Sequence, residues 1–205
     1  MPFGAHTALV VVDMQNDFAD PGGSLYVTGG EHVVGRVNEL ITAADEAGSQ
    51  VVYTQDWHPA TTPHFAKDGG IWPVHCVADT WGAQLHPDLL VRGRVVRKGT
   101  GGEDGYSGFS MRHPETGETS PTELEGLLRD AGAERLVIVG LATDYCVVET
   151  ALDARTHGFG ATVIEEAIRA VDLTEGDGIR AIERMRDVGV EVVFEAEAPA
   201  PGADH

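Results

Sequence analysis

Short β-rich runs alternate with stretches of helical spacing along almost the whole chain, and few architectures accept that alternation. The first run, Ala8 to Val12, is apolar at every position and ends at Asp13. A half-exposed strand would alternate with polar residues, whereas a parallel strand covered on both faces reads as a continuous apolar run. Val33, Val34, Val37, Leu40, Ile41 and Ala44 then recur at helical spacing, with Gly48 where a C-cap belongs. Val51 to Thr54 and Arg94 to Arg97 read as the next strands. Ser120-Pro121-Thr122-Glu123 has the form of a capping box, which predicts a helix with Ser120 as N-cap and Pro121 in its first position. Leu124, Leu127 and Leu128 supply its apolar stripe and Gly132 its stop. Further strands are expected at Leu136–Val139, Thr162–Ile164 and Val190–Phe194, and further helices at Tyr145–Thr156 and Thr174–Val188. The pattern predicts an α/β fold: a three-layer, six-stranded, mostly parallel sheet with helices on both faces and a Rossmann-like winding. A chain of 205 residues suits one domain, expected over 1–195, with a Glu-, Ala- and Pro-rich disordered tail over 196–205.

Charge narrows the partners. Fourteen basic against thirty-three acidic side chains give a formal charge of −19. Nucleic acid and anionic membranes would repel such a chain before contact. No apolar run approaches the roughly 18 residues of a spanning helix, and the start of the chain lacks a basic secretory n-region. Two cysteines cannot build a disulfide scaffold. A cytoplasmic protein with a small-molecule partner is the expectation, with self-association into a homo-oligomer left open.

In an open α/β sheet, ligands bind beyond the carboxyl ends of the strands. Four reactive side chains fall at such ends: Asp13 after the first strand, Asp56 after the second, Lys98 after the third and Cys146 just after the fourth. A lone cysteine is most often a small apolar filler. Cys146, however, opens a helix behind polar Thr143 and Asp144, where free backbone N–H groups favour thiolate over thiol. Cys76 carries no such context and reads as packing. Lys98 is one of two lysines among the fourteen basic residues, so a compact ammonium in place of Arg is notable. Asp13 reads either as a turn cap or as a proton carrier.

Three of nine histidines, His58, His64 and His75, share one long loop with Asp56. One Asp with two or three His suits a first-row divalent metal such as zinc, iron or manganese. The remaining histidines read as solvated. Phe18, Trp57, Phe65, Trp72, Tyr106 and Phe109 also lie in the weakly patterned segments, and some of them should line a cavity for a flat ring.

Taken together, Asp13-Met14-Gln15-Asn16-Asp17-Phe18, Asp56-Trp57-His58-Pro59, Trp72-Pro73-Val74-His75-Cys76, Lys98-Gly99, Tyr106-Ser107-Gly108-Phe109 and Gly140 through Cys146 resemble the isochorismatase-like cysteine hydrolases, and within them the nicotinamidases. The segments run in family order and span nearly the whole domain. The resemblance implies Asp13, Lys98 and Cys146 as catalytic triad. It implies Asp56, His58 and His75 as metal ligands, with His64 the fourth and most variable. It further implies a cis peptide between Leu141 and Ala142, an oxyanion hole from the Ala142 and Cys146 N–H groups, and ring contacts from Phe18, Trp72 and Tyr106. Tyr145 departs from relatives that carry His beside the nucleophile. The implied activity is metal-dependent hydrolysis of nicotinamide, with one divalent ion, zinc foremost, as cofactor. Another small-carboxamide or carbamoyl amidase of the same family, and a non-catalytic metal- or ligand-binding module, are the alternatives.

Overall fold

The computed structural model describes residues 3–194. The expected tail lies outside them. Six strands, β1 (Thr7–Val12), β2 (Gln50–Asp56), β3 (Arg94–Lys98), β6 (Arg135–Leu141), β7 (Gly160–Arg169) and β8 (Glu191–Val193), form one sheet in the order β3-β2-β1-β6-β7-β8. All five pairings are parallel. The continuous apolar run of β1 finds its explanation in the middle of this sheet. Ala8, Val10 and Val12 face one core and Leu9 and Val11 the other, and all five are fully buried.

One face is covered by α2 (Gly30–Glu46), whose Val33, Val37, Leu40 and Ile41 pack on Leu9, Val11, Tyr53 and Val139. The other face is covered by α3 (Leu124–Asp130), α4 (Val148–Thr156) and α5 (Asp177–Asp187), through Leu124, Leu128, Ala151 and Met185. The winding runs outward from β1 to β3, then returns to β6 at the opposite side of β1 and runs outward again. Beside the β1–β6 junction the strand order therefore reverses, which is where such sheets open a crevice. Among the described residues no helix is long and apolar enough to cross a membrane.

Three local expectations need correction. Ser120 and Pro121 do not open a helix. They lie in β5 (Thr119–Pro121), antiparallel to β4 (Ser110–Arg112), with Ser110 opposite Pro121. Proline lacks an N–H, which a short edge strand tolerates as well as a helix start does. The helix instead begins at Leu124, whose N–H is accepted by the Thr122 hydroxyl. The helix expected from Tyr145 is preceded by a wider turn, Thr143–Val147, of π geometry. Strand β7 runs to Arg169, well past Ile164, by pairing its second half with Gly140 and Leu141 after a register shift. A four-residue helix, α1 (Asn16–Ala19), sits in a segment that shows no helical pattern.

Gly140 fixes how closely β6 approaches β1. Its φ is +111°, and a Cβ there would lie 2.1 Å from the Val12 carbonyl oxygen. Gly140→Ala therefore meets both a backbone conformation that L-residues avoid and a rigid collision. We expect a loss of about 3 kcal/mol or more, seen as a Tm lowered by roughly 6–12 °C. An unchanged thermal melt would mean that the two strand ends are free to part.

Candidate active site

Lys98 organises the rim. Its side chain is fully buried, and Nζ donates to Asp13 Oδ2 at 2.7 Å, to Asp56 Oδ1 at 2.6 Å and to the Gly105 carbonyl. Cys146 Sγ lies 3.8 Å from the same nitrogen. Three strand ends and the π turn thus deliver four reactive groups to one point. Asp13 leaves β1 with a φ of +46°, a conformation Asp tolerates better than most residues. Its second oxygen accepts the Thr54 hydroxyl at 2.7 Å. Asp56 is fastened through its backbone: Gln15 Nε2 donates to its carbonyl and Gln15 Oε1 accepts its N–H, both at 2.8 Å.

Burial opposes every charge in this cluster, and the signs of the outcome differ. For Lys98 burial disfavours the ammonium, but Asp13 and then Asp56 outweigh it and raise its pKa well above the ordinary value. For Asp56 burial works against ionisation, yet Lys98 and His58 hold its carboxyl well below the usual range. Asp13 ends up raised: burial dominates, Asp56 adds repulsion, and Lys98 only partly compensates. Cys146 is also raised well above an ordinary thiol by burial, against the pull of Lys98, and an Asp13 oxygen lies within 4.8 Å of its sulfur. The thiolate expected from a helix start is therefore corrected. The resting sulfur keeps its proton, with a carboxylate beside it to receive it.

The histidines converge as the sequence suggested. One ring nitrogen from each of His58, His64 and His75 lies within 4.8 Å of the others, and all three are buried. His58 Nε2 stands 3.8 Å from Asp56 Oδ2, and both of its ring nitrogens are buried without a hydrogen-bond partner. Orphaned buried nitrogens are costly unless something binds them. His75 Nδ1–H donates to the Pro73 carbonyl at 2.8 Å and His64 Nδ1–H to Asp104 at 2.6 Å, which leaves each Nε2 as a lone-pair donor. Burial pushes His75 down to about 4, so its imidazole is neutral near pH 7. This donor set fits a divalent first-row ion, with Asp56 beside the three imidazoles. Asp13, Asp56 and the Cys146 sulfur also approach within 4.8 Å of one another, but the Lys98 ammonium already occupies that position.

A cavity joins the two groups. Its walls include Phe18, Trp72, Tyr106, Asp56, His64, His75, Ala142 and Cys146. Trp72 Nε1–H donates to the Tyr106 hydroxyl at 2.8 Å, and the Tyr145 ring meets Trp72 edge-on at 4.8 Å. Tyr106 is pushed up to about 12 by burial and remains a neutral phenol. The other loop aromatics do not line the cavity: Phe65 is buried against the three imidazoles, with ring centroids 5.5 to 5.9 Å from theirs, Phe109 is buried in the core, and Trp57 lies under the Arg97 guanidinium at 3.8 Å. Cys76 is packing, its N–H donated to Asp17. His6, His32, His86, His113 and His157 lie outside the cavity. The peptide between Leu141 and Ala142 is cis, as the resemblance implied. Gly99 is close-packed, since a Cβ would sit 2.5 Å from the His58 ring. Sequence reasoning missed Thr54, Gln15 and Asp104. Only Thr54 carried a signal, two residues before Asp56 on the same strand and so on the same face.

A six-stranded parallel sheet with a thiol, a carboxylate and an ammonium at its switch point defines a class of α/β proteins, and the comparisons say which. The isochorismatase domain matches residues 7–197, and the chain belongs to that family. Nicotinamidase from Escherichia coli (strain K12) is 37% identical over 201 residues, 89% of this chain and 92% of that one. The crystal structure of pyrazinamidase of Pyrococcus horikoshii in complex with zinc aligns with a TM-score of 0.82 at 39% identity, over 92% of this chain and 99% of that one. That of PnC1 from L. infantum in complex with nicotinate gives 0.84 at 36%, over 96% of each chain.

Two outcomes follow from the electrostatics. Lys98→Met leaves Asp13 and Asp56 buried without their cation and is expected to cost about 3–5 kcal/mol in urea unfolding. An unaltered midpoint would show that the carboxylates do not depend on it. His75, with a folded pKa of about 4, stays neutral where the unfolded chain, near 6.5, takes up a proton. Metal-free protein should therefore lose stability as pH falls from about 6.5 to 4. His75→Gln should remove up to about 3 kcal/mol of that change. A pH–stability slope identical in the variant would place the proton on His75 in the folded state.

Proposed function

We propose that this protein is a nicotinamidase, hydrolysing nicotinamide to nicotinate and ammonia in the cytoplasm, with Cys146 as nucleophile. The observation that carries the reading is the shared cavity: a thiol paired with a carboxylate and an ammonium, three converging imidazoles, and the rings of Phe18, Trp72, Tyr106 and Tyr145 on its walls. A flat heteroaromatic amide has a use for each of these. An aliphatic carbamoyl substrate has none for the imidazoles or the rings, which favours the aromatic amide. The likeness to proteins named as nicotinamidase and pyrazinamidase supports the same substrate class.

In this scheme Phe18, Trp72 and Tyr106 flank the ring faces and exclude water. Asp56, His58, His64 and His75 would hold the divalent ion, zinc by likeness to the zinc complex. When bound, that ion supplies a Lewis-acid partner for the pyridine nitrogen and so fixes the ring. Asp13 accepts the Cys146 proton as sulfur bonds to the carboxamide carbon and the C=O electron pair moves to oxygen. Burial raises the pKa of Asp13, which equips it to hold that proton. Lys98 offsets the negative charge as it passes between sulfur and carboxyl. The Ala142 and Cys146 N–H groups receive the oxyanion, a contribution of about 3–4 kcal/mol per donor in well-studied hydrolases. Asp13 then returns the proton to nitrogen, the C–N bond breaks, and ammonia leaves a thioester on Cys146. A water molecule gives a proton to Asp13 and its oxygen bonds to the acyl carbon. The C–S bond breaks, the sulfur regains its proton from Asp13, and the acid departs and loses its proton to solvent as nicotinate.

Ammonia release from nicotinamide, with and without a chelator, is the direct test. Turnover is expected in the loaded enzyme and its loss on chelation. Cys146→Ser should lower kcat by about a thousandfold or more, with nicotinamide binding largely kept. Normal turnover in that variant would end the nucleophile assignment. His58→Ala should raise KM and reduce bound metal together. Full activity after chelation would point instead to a metal-independent amidase.

A further inference from the structure

Asp104 is one of many acidic residues in a loop, and its surroundings set it apart. Its carboxylate accepts the His64 Nδ1–H at 2.6 Å. It makes no other side-chain hydrogen bond or ion pair among the described residues. It is not placed by the loop alone. Its N–H donates to the Arg112 carbonyl at 2.7 Å and its own carbonyl accepts the Arg112 N–H at 2.9 Å, which makes a β-bridge onto the end of β4. The β4–β5 hairpin that displaced the expected capping box is therefore the support on which this carboxylate stands. His64 is in turn stacked on His58, with ring centroids 4.6 Å apart.

From this geometry we infer that Asp104 is a positioning residue for the metal site. It fixes His64 in the tautomer protonated at Nδ1 and leaves Nε2 as the lone-pair donor toward the cluster. The inference rests on the proposed metal set, and it gives His64 a physical reason to belong to it. An imidazole held by a carboxylate on its far nitrogen is oriented and made more basic, and losing such a partner commonly weakens metal binding by 10–100-fold. His75 has a similar but weaker arrangement, since its partner is the neutral Pro73 carbonyl. Of the three imidazoles, His64 alone is held by a carboxylate on Nδ1, so the loss should be largest here.

The test is zinc affinity rather than turnover. Zinc is titrated into metal-stripped protein against a competing fluorescent chelator, with circular dichroism confirming that each variant is folded. Asp104→Ala is expected to weaken the zinc Kd by about 10–100-fold, His64→Ala by at least as much, and the double variant no further than His64→Ala. Asp104→Asn, which keeps an acceptor and loses the charge, should lie between wild type and Asp104→Ala. If Asp104→Ala does not fold, Asp104→Asn carries the test, with at least a threefold weaker Kd expected. A wild-type Kd in the folded Asp104 variant beside a weakened His64→Ala overturns the inference and leaves the metal set standing. A double variant weaker than His64→Ala also overturns it, because Asp104 would then act through another group. A wild-type Kd in both His64→Ala and His58→Ala overturns this inference and the metal set together.

Discussion

A single buried ammonium holds the site together. Lys98 Nζ has three N–H bonds and meets three oxygens, on Asp13, Asp56 and the Gly105 carbonyl, at the ends of three different segments. None of the three charged side chains would be stable there alone, because burial disfavours each of them. Together they are stable, although two carboxylates facing one cation leave one negative charge in excess. Burial first, and the repulsion of Asp56 after it, raise the pKa of Asp13 despite Lys98, so Asp13 is the member of the cluster best suited to carry a proton. The chain otherwise favours arginine, whose planar fork would address one carboxylate in bidentate fashion. A compact ammonium addresses two carboxylates and a carbonyl around a point.

The fold was legible wherever local pattern and tertiary role coincide. The uninterrupted apolar run of Ala8–Val12 announces a strand buried on both faces, and it is the central strand of the sheet. The periodicity from Val33 to Ala44 announces α2 almost to its ends. Failure came where a distant partner decides. Ser120-Pro121-Thr122-Glu123 satisfies every local condition for a helix start, but the Ser110–Arg112 segment offers the same residues a strand partner. The helix then starts three residues past Pro121, where Thr122 supplies the hydroxyl. The second half of β7 is similar: it continues only because Gly140 and Leu141 are there to pair with it.

The site divides along the same line. Asp13, Asp56, Lys98 and Cys146 could be read from strand ends, because topology alone brings strand ends together. Asp104 could not be, since nothing in a Gly-Gly-Glu-Asp-Gly loop distinguishes one acid from the next until Arg112 fixes its backbone. The protonation of Cys146 is not legible in the sequence, for a physical reason. A turn before a helix does favour thiolate, but that preference is modest beside the burial of the sulfur. A thiol that keeps its proton at rest requires a neighbouring base, and an Asp13 oxygen lies within 4.8 Å of the sulfur.

Asp56 connects the two halves of the cavity. One oxygen accepts from Lys98 at 2.6 Å, and the other stands 3.8 Å from His58 Nε2. A carboxylate rotated to improve one contact would worsen the other, so the thiol cluster and the imidazole cluster are fixed relative to each other by one rigid group. Gln15 keeps it rigid by holding the backbone of Asp56 on both sides with its own amide. Gln15 is placed in turn by the chain just after Asp13, so the segment that delivers the proton acceptor also anchors the shared carboxylate. Reaction of a flat amide between these clusters needs the distance from sulfur to the imidazoles to match the distance from carboxamide carbon to ring nitrogen. The thiol side of that match is maintained by a short covalent and hydrogen-bonded path through Asp13, Gln15, Asp56 and Lys98, and the imidazole side by the loop after β2, which carries His58, His64 and His75.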